Sequence, residues 1–121
     1  MTDTTTLAPV LAEFTAAVNA FDEDAIVATF ADDALVNDVH REFWGTKAIR
    51  RWVAREITGD HVTIDVTEVI EHPSGTVVRG RYDGTFDKTN LPEEIILTNY
   101  FTVRDGKIVS LIIILNTPAS Y

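Results

Sequence analysis

The chain has 121 residues, a formal net charge of -9 and no cysteine, and 45% of its residues are hydrophobic. This length and composition predict one globular domain over residues 1–121, which folds without a disulfide or a structural metal. The acidic balance argues against nucleic acid and anionic membranes as partners, because both require a concentrated basic face.

The N-terminal segment lacks the basic and apolar regions of a signal peptide, so we expect a soluble, cytoplasmic protein. The longest apolar run, Leu111–Leu115, is too short to cross a bilayer. Three helices are predicted next, from apolar residues spaced three and four apart. They span Leu7–Ala20, then Asp22 or Glu23 to Phe30 with Asp22 as N-cap, and Thr46–Ile57.

Between the second and third helices, residues 35–44 are predicted to be extended, and beyond Asp60 the apolar residues alternate. Two hairpins are expected there: HVTIDVTEVI with TVVRGRYDGTF, and EIILTNYFTV with IVSLIIILN, the latter joined by the turn RDGK. Helices followed by strands indicate an α+β fold, in which a curved antiparallel sheet carries the three N-terminal helices on its concave face.

The last two predicted strands are apolar on both faces. An antiparallel sheet normally keeps one face in water, so the second apolar face needs a cover. We expect a homodimer that packs through the convex face of the sheet. The alternative is a core strand covered within the chain.

Polar residues crowd between positions 37 and 42, where Asp38 is the candidate catalytic group. In an apolar pocket, desolvation raises the pKa of a carboxyl and suits it to act as a general base. The alternative is a surface carboxylate that pairs with Arg41 or caps a turn. His40 lies two residues on, on the same face of an extended strand, and is a candidate second acid/base; the same geometry also allows both side chains to face solvent.

Three segments carry a resemblance to a known family: FTAAVNAFDEDAIVATFADDALVND, WGTKAIRRWV and TNYFTVRDGKIVSLIIIL. Together they resemble the nuclear transport factor 2-like superfamily, the α+β cone shared by ketosteroid isomerases, scytalone dehydratases and SnoaL-like polyketide cyclases. The resemblance implies a cone-shaped fold with a mostly apolar cavity at its wide end. It specifies the fold better than any one activity.

The resemblance also implies roles for individual residues. The general-base aspartate of ketosteroid isomerases falls on Asp38, their oxyanion tyrosine on Phe14, and their protonated aspartate on Asn99. Because Phe14 has no hydroxyl, steroid isomerisation is not expected. Asn99 can still donate through its amide, so isomerase, cyclase or dehydratase chemistry that begins with proton abstraction next to a carbonyl stays open. Such chemistry requires no cofactor.

Other side chains complete the predicted site for a small apolar molecule. Asn99 shares strand parity with inward apolar residues, so it contacts either a ligand or a neighbouring side chain such as Tyr82 or Asn116. Tyr82 is placed to replace the missing hydroxyl, Trp52 forms a wall and Trp44 a lip. The predicted catalytic residues are Asp38, Asn99 and His40, and the predicted substrate-binding residues are Phe14, Trp44, Trp52, Tyr82, Phe101 and Asn116. No histidine pair has metal-site spacing, so no metal is expected. The alternative function is a non-catalytic ligand-binding or dimerisation module.

Overall fold

The computed structural model describes residues 7–89 and 91–116, and the side chain of Asn116 lies outside the described part. Three helices, a π-helical segment and six strands follow one another along the chain. The helices are α1 (Pro9–Asn19), α2 (Glu23–Ala28) and α3 (Gly45–Trp52), which the π-helical segment Val53–Ile57 continues. The strands are β1 (Phe30–Asp38), β2 (Arg41–Trp44), β3 (Thr63–His72), β4 (Gly75–Asp83), β5 (Ile95–Arg104) and β6 (Lys107–Asn116).

The three predicted helices are present, with small differences at their ends. The α2 N-cap is confirmed, because the Asp22 carboxylate accepts a hydrogen bond of 3.1 Å from the Ala25 N–H. However, α2 ends at Ala28 and not at Phe30, since Phe30 pairs with Ile108 of β6 as the first residue of β1. The third helix begins at Gly45, one residue before the predicted start.

The six strands form one mixed sheet in the order β2-β1-β6-β5-β4-β3. Both predicted hairpins are confirmed as β3–β4 and β5–β6, and every pairing is antiparallel except that of β1 with β6, which is parallel. The predicted extended segment 35–44 is two strands, not one. The chain reverses between Asp38 and Arg41, so β1 and β2 form a third, very tight hairpin.

The sheet is curved and carries the helices on one face, which confirms the predicted α+β cone. One end of the enclosed interior is filled by aromatic side chains. Phe14 of α1 makes edge-to-face contacts with Phe30 and Phe101, at centroid distances of 5.8 and 5.5 Å. All three rings are buried, and they fill this part of the interior with side chains. We call these three residues the packed end.

The opposite face of the sheet has no helix on it. At its centre Tyr100 lies beside Ile112 in the β5–β6 register, and Ile114 follows on the same face. Tyr100 is 42% exposed and Ile114 48%. We call Tyr100, Ile112 and Ile114 the outer patch. The patch therefore brings three partly exposed large hydrophobic side chains together on one face of the sheet.

Candidate active site

A cavity of about 270 Å³ opens at the other end of the interior. The end of β1, the helical segment after α3, and strands β4 to β6 enclose it. Its apolar walls are formed by Val39, Ile57, Val62, Phe86, Leu91, Ile95, Leu97, Ile113 and Leu115, and its polar groups belong to Asp38, Arg41, Trp52, Glu56, Asp60 and Tyr82. An apolar cavity with a few convergent polar groups is the usual form of a small-molecule site.

The Asp38 carboxyl is the most enclosed acid of this cavity. As the last residue of β1, Asp38 is paired with Ile113 of β6, and only 17% of its side chain is exposed. Its Oδ2 accepts hydrogen bonds of 3.0 Å from both Trp52 Nε1 and Arg41 Nη2. Within residues 7–89 and 91–116, no hydrogen bond reaches its Oδ1. One oxygen is therefore fixed while the other is available to a ligand.

Burial raises the pKa of the Asp38 carboxyl above its ordinary value of 3.8. The hydrogen bond from Trp52 and the positive charge of Arg41 oppose this rise, and the negative charge of Glu56 adds to it. Desolvation is the largest of these effects, as the sequence led us to expect, because the apolar wall disfavours the charged form. A carboxylate with a raised pKa is a stronger base than one in water.

Arg41 links Asp38 to a second carboxylate. Its guanidinium donates to Glu56 through Nη1 (2.9 Å) and Nη2 (2.6 Å), in addition to Asp38. The pairing of Asp38 with Arg41, which the sequence left open as an alternative, is therefore present, whereas Glu56 was not predicted. The available signal was spacing, since Glu56 lies four residues after Trp52 and so near the same helical face. The π-helical segment carries Glu56 into this network, and such segments are frequent at functional sites.

The turn after Asp38 has unusual backbone geometry. Val39 and His40 both have positive φ, 49° and 73°, and for a β-branched residue such as Val39 this is a strained conformation. The His40 N–H donates to Asn37 Oδ1 at 2.9 Å. Because the chain reverses here, Asp38 and His40 do not share a strand face. The exposed His40 side chain is not part of the cavity wall.

Asn99 does not line the cavity and is connected to it by a hydrogen bond with Tyr82. Asn99 is 2% exposed; its Nδ2 donates to the Val78 carbonyl, and its Oδ1 accepts from the Tyr82 hydroxyl, both at 3.1 Å. Tyr82 itself lines the cavity. Burial raises the pKa of the Tyr82 phenol far above its usual range, and the negative charge of Asp38 adds to the rise.

The remaining predicted residues are placed in three different ways. Trp52 lies in the cavity wall, as predicted. Phe14 and Phe101 belong to the packed end. Trp44 is 62% exposed, donates to Glu42 at 3.2 Å, and is not among the lining residues, so the predicted lip is absent. The structure thus brings together Asp38, Trp52 and Tyr82.

Two further properties concern metals and membranes. Among the histidine, aspartate and glutamate side chains that the structure describes, no three are grouped so that they could hold a metal ion. Of the described helices, none combines the length and apolar character needed to span a bilayer.

Residues 11–111 match the model of the SnoaL-like domain. No curated protein matches the sequence significantly. A protein assigned as a polyketide cyclase from Sinorhizobium meliloti is 27% identical, with a TM-score of 0.83 over 93% of this chain and 100% of that chain. The epoxide hydrolase/cyclase-like enzyme SalBIII, which has a role in pyran ring formation in the polyether salinomycin, is 24% identical, with a TM-score of 0.77 over 88% of each chain.

A third similar structure is a protein of ketosteroid isomerase-like fold from Catenulispora acidiphila, solved in complex with trimethylamine. It is 19% identical, with a TM-score of 0.76 over 90% of this chain and 86% of that chain. At this identity and at that of SalBIII, the similarity establishes the fold alone.

Proposed function

The chain belongs to the SnoaL-like domain family, and from that premise we propose that it is a cofactor-independent enzyme acting on a small apolar ring compound. In this proposal Asp38 is the general base, and it removes a proton from a carbon next to a carbonyl group. The reaction class is that of an isomerase, cyclase or dehydratase. The cavity volume of about 270 Å³ suits a compound of one or two rings.

One observation carries the proposal: the two oxygens of Asp38 have different surroundings. Trp52 and Arg41 both donate to Oδ2, which fixes the carboxyl in place, while Oδ1 has no hydrogen bond from the described residues. A surface carboxylate would have neither this enclosure nor a pKa raised by burial. A free oxygen on an anchored carboxylate is the arrangement that a base needs for a positioned proton transfer.

In the proposed step, the substrate C–H bond breaks and its proton moves to Asp38 Oδ1. The electron pair of that bond moves into the adjacent carbonyl group and forms an enolate. Arg41 is placed to stabilise this negative charge, because its Nε–H has no acceptor among the described residues and Arg41 lines the cavity. Protonated Asp38 then returns the proton, either to another carbon or to a leaving group.

The names of two similar proteins agree with this reaction class. One is assigned as a polyketide cyclase and the other is an epoxide hydrolase/cyclase-like enzyme. Both descriptions refer to chemistry on ring systems or ring closure. They support cyclase chemistry here, without identifying the substrate.

Isotope exchange tests the base without knowledge of the natural substrate. We expect the protein to accelerate exchange of the α-hydrogens of 2-tetralone in deuterated buffer, measured by proton NMR. Asp38→Asn should lower the accelerated rate by about 10²- to 10⁴-fold, the range for loss of a general base. The matched control is Asp33→Asn, which also removes a β1 carboxylate hydrogen-bonded to an arginine, but an exposed one.

Three results would count against the proposal. Equal loss of exchange in Asp33→Asn and Asp38→Asn would remove the special role of Asp38. Full exchange in Asp38→Asn would place the base elsewhere. Binding of 2-tetralone without any exchange would favour the alternative, a non-catalytic ligand-binding module.

We also propose that a second copy of the chain covers the outer patch. Two copies with a net charge of -9 each repel one another unless they meet through an uncharged surface. Tyr100, Thr102, Ile112 and Ile114, which are exposed along the middle of β5 and β6, provide such a surface, because none of them carries a charge. A face that is self-complementary in this way suits a two-fold homodimer.

Light scattering at micromolar concentration tests the dimer, and a dimeric mass is the expected result. Ile114→Glu should give a monomer, because it buries an unpaired charge in the interface. Phe21→Glu introduces the same charge at an exposed apolar residue outside the outer patch and should leave the dimer intact. A monomeric wild-type protein would contradict this part of the proposal.

A further inference from the structure

The Tyr82 hydroxyl donates its hydrogen to a hydrogen bond with Asn99. The orientation of the Asn99 amide is fixed by the Val78 carbonyl, which accepts from Asn99 Nδ2 at 3.1 Å. The reversed amide would place two acceptor oxygens against each other. Asn99 Oδ1 therefore faces Tyr82, and only the phenol hydrogen can complete that bond.

The Tyr82 oxygen is consequently left with acceptor capacity alone. A phenol has one hydrogen to donate and lone pairs to accept with. Since burial raises the pKa of Tyr82, the phenol keeps its proton at neutral pH and does not become an anion. A ligand that meets the phenol oxygen gains a hydrogen bond only by donating one.

The other uncharged hydrogen-bond donor in the cavity wall is also bonded within the protein. Trp52 is the second uncharged side chain with a polar hydrogen among the described lining residues, and its Nε1–H is bonded to Asp38. Asp38, when ionised, is itself an acceptor. Among the described lining residues, free side-chain donors are thus confined to Arg41, whose side chain is 54% exposed. The deeper polar wall accepts hydrogen bonds and does not donate them.

We propose that the substrate carries a hydroxyl group that donates to the Tyr82 phenol oxygen, so that the site selects hydroxylated ring compounds over their ethers. This inference rests on the ligand cavity of the proposed function and names a substrate class for it. Asn99 is then a positioning residue, because it aims the Tyr82 hydrogen away from the ligand.

Two matched probes test the selection: 2-naphthol, which donates a hydrogen bond, and 2-methoxynaphthalene, which only accepts one. Affinities are measured by titration calorimetry. Quenching of tryptophan fluorescence in a Trp44→Phe background then places the ligand beside Trp52, since the chain has two tryptophans. We expect 2-naphthol to bind about 3- to 10-fold more tightly, which is the range for one neutral hydrogen bond.

Tyr82→Phe should abolish this preference and leave the affinity for 2-methoxynaphthalene nearly unchanged. If Tyr82 had only a packing role, the variant, which keeps the ring, would leave the preference for 2-naphthol unchanged, and that result would overturn the inference. Asn99→Leu provides a second variant in case Tyr82→Phe fails to fold. It frees the phenol hydrogen, so the preference for 2-naphthol should fall or reverse.

The outcomes separate this inference from the proposed function. Equal affinity of the wild-type protein for both probes, with Trp52 quenched, overturns the hydroxyl selection and leaves Asp38 and its cavity unaffected. Binding of neither probe overturns the ligand cavity and, with it, the inference. Loss of isotope exchange in Asp38→Asn together with an unchanged 2-naphthol preference supports both.

Discussion

The two ends of the interior are built from similar elements but differ in what fills them. At the packed end, Phe14, Phe30 and Phe101 contact one another edge to face. At the other end the walls stand apart around Asp38 and Tyr82. The resemblance to ketosteroid isomerases implied a hydroxyl at position 14. In the structure, Phe14 instead packs against other rings at one end of the cone. The hydroxyl group lies at the other end and belongs to Tyr82.

The largest effect on stability is expected from removing an aromatic side chain of the packed end. Phe14→Ala should lower the free energy of unfolding by about 3–5 kcal/mol, because it removes a buried ring and leaves a cavity. Leu97→Ala, on the cavity wall, should lower the free energy of unfolding less, by about 2 kcal/mol, because the neighbours of Leu97 already face open space. Urea denaturation measures both. Equal losses would show that the two ends are packed alike.

A smaller effect sharpens the comparison at the same position. Phe14→Tyr places a hydroxyl among the aromatic rings of the packed end. Without a hydrogen-bond partner it should destabilise the fold by about 1–3 kcal/mol. The rate of 2-tetralone exchange should stay at the wild-type level, because position 14 does not line the cavity. Faster exchange in this variant would mean that the two ends form one site.

The smallest effect concerns pH and the open end. The pKa of Asp38 is raised in the folded state, so the folded protein holds this proton more tightly than the unfolded chain does. As pH rises from about the unfolded value of 3.8, the unfolded chain ionises first and stability is lost until the folded pKa is passed. Asp38→Asn removes this loss.

The expected result is therefore that Asp38→Asn gains stability relative to wild type as pH rises from 3.8, and that the gain becomes constant once the pH has passed the folded pKa of Asp38. Thermal or urea unfolding at a series of pH values measures it. Asp33→Asn, which removes an exposed salt bridge, serves as the control and should change stability little. A steady decline of Asp38→Asn relative to wild type over this range would show that Asp38 is stabilised in its charged form.

Much of the fold could be predicted because its elements follow from the local spacing of apolar residues. The helices and the two long hairpins follow from apolar spacing and from turn residues such as Asp105-Gly106. The β1–β2 turn was not predicted, because Val39-His40 is not a sequence that favours a two-residue hairpin. The parallel pairing of β1 with β6 joins distant segments, and no local pattern indicates it.

The site was predictable only in part, for a similar reason. Asp38 and Tyr82 were predicted from their residue types and strand positions, and Trp52 from its place on the third predicted helix. The Arg41–Glu56 pair depends on how β2 packs against the segment after α3, which sequence spacing does not fix. For Asn99, ligand contact and a hydrogen bond to a neighbouring side chain such as Tyr82 were both open, and packing decides for Tyr82.

The Val39-His40 turn has a consequence for how this protein tolerates change. Asn-Gly at these two positions would adopt the same positive φ angles with less strain, so a more stable hairpin is within reach of two substitutions. The present residues keep Val39 in the cavity wall directly beside Asp38. The turn is thus a position where selection for stability and selection for the shape of the cavity point to different amino acids.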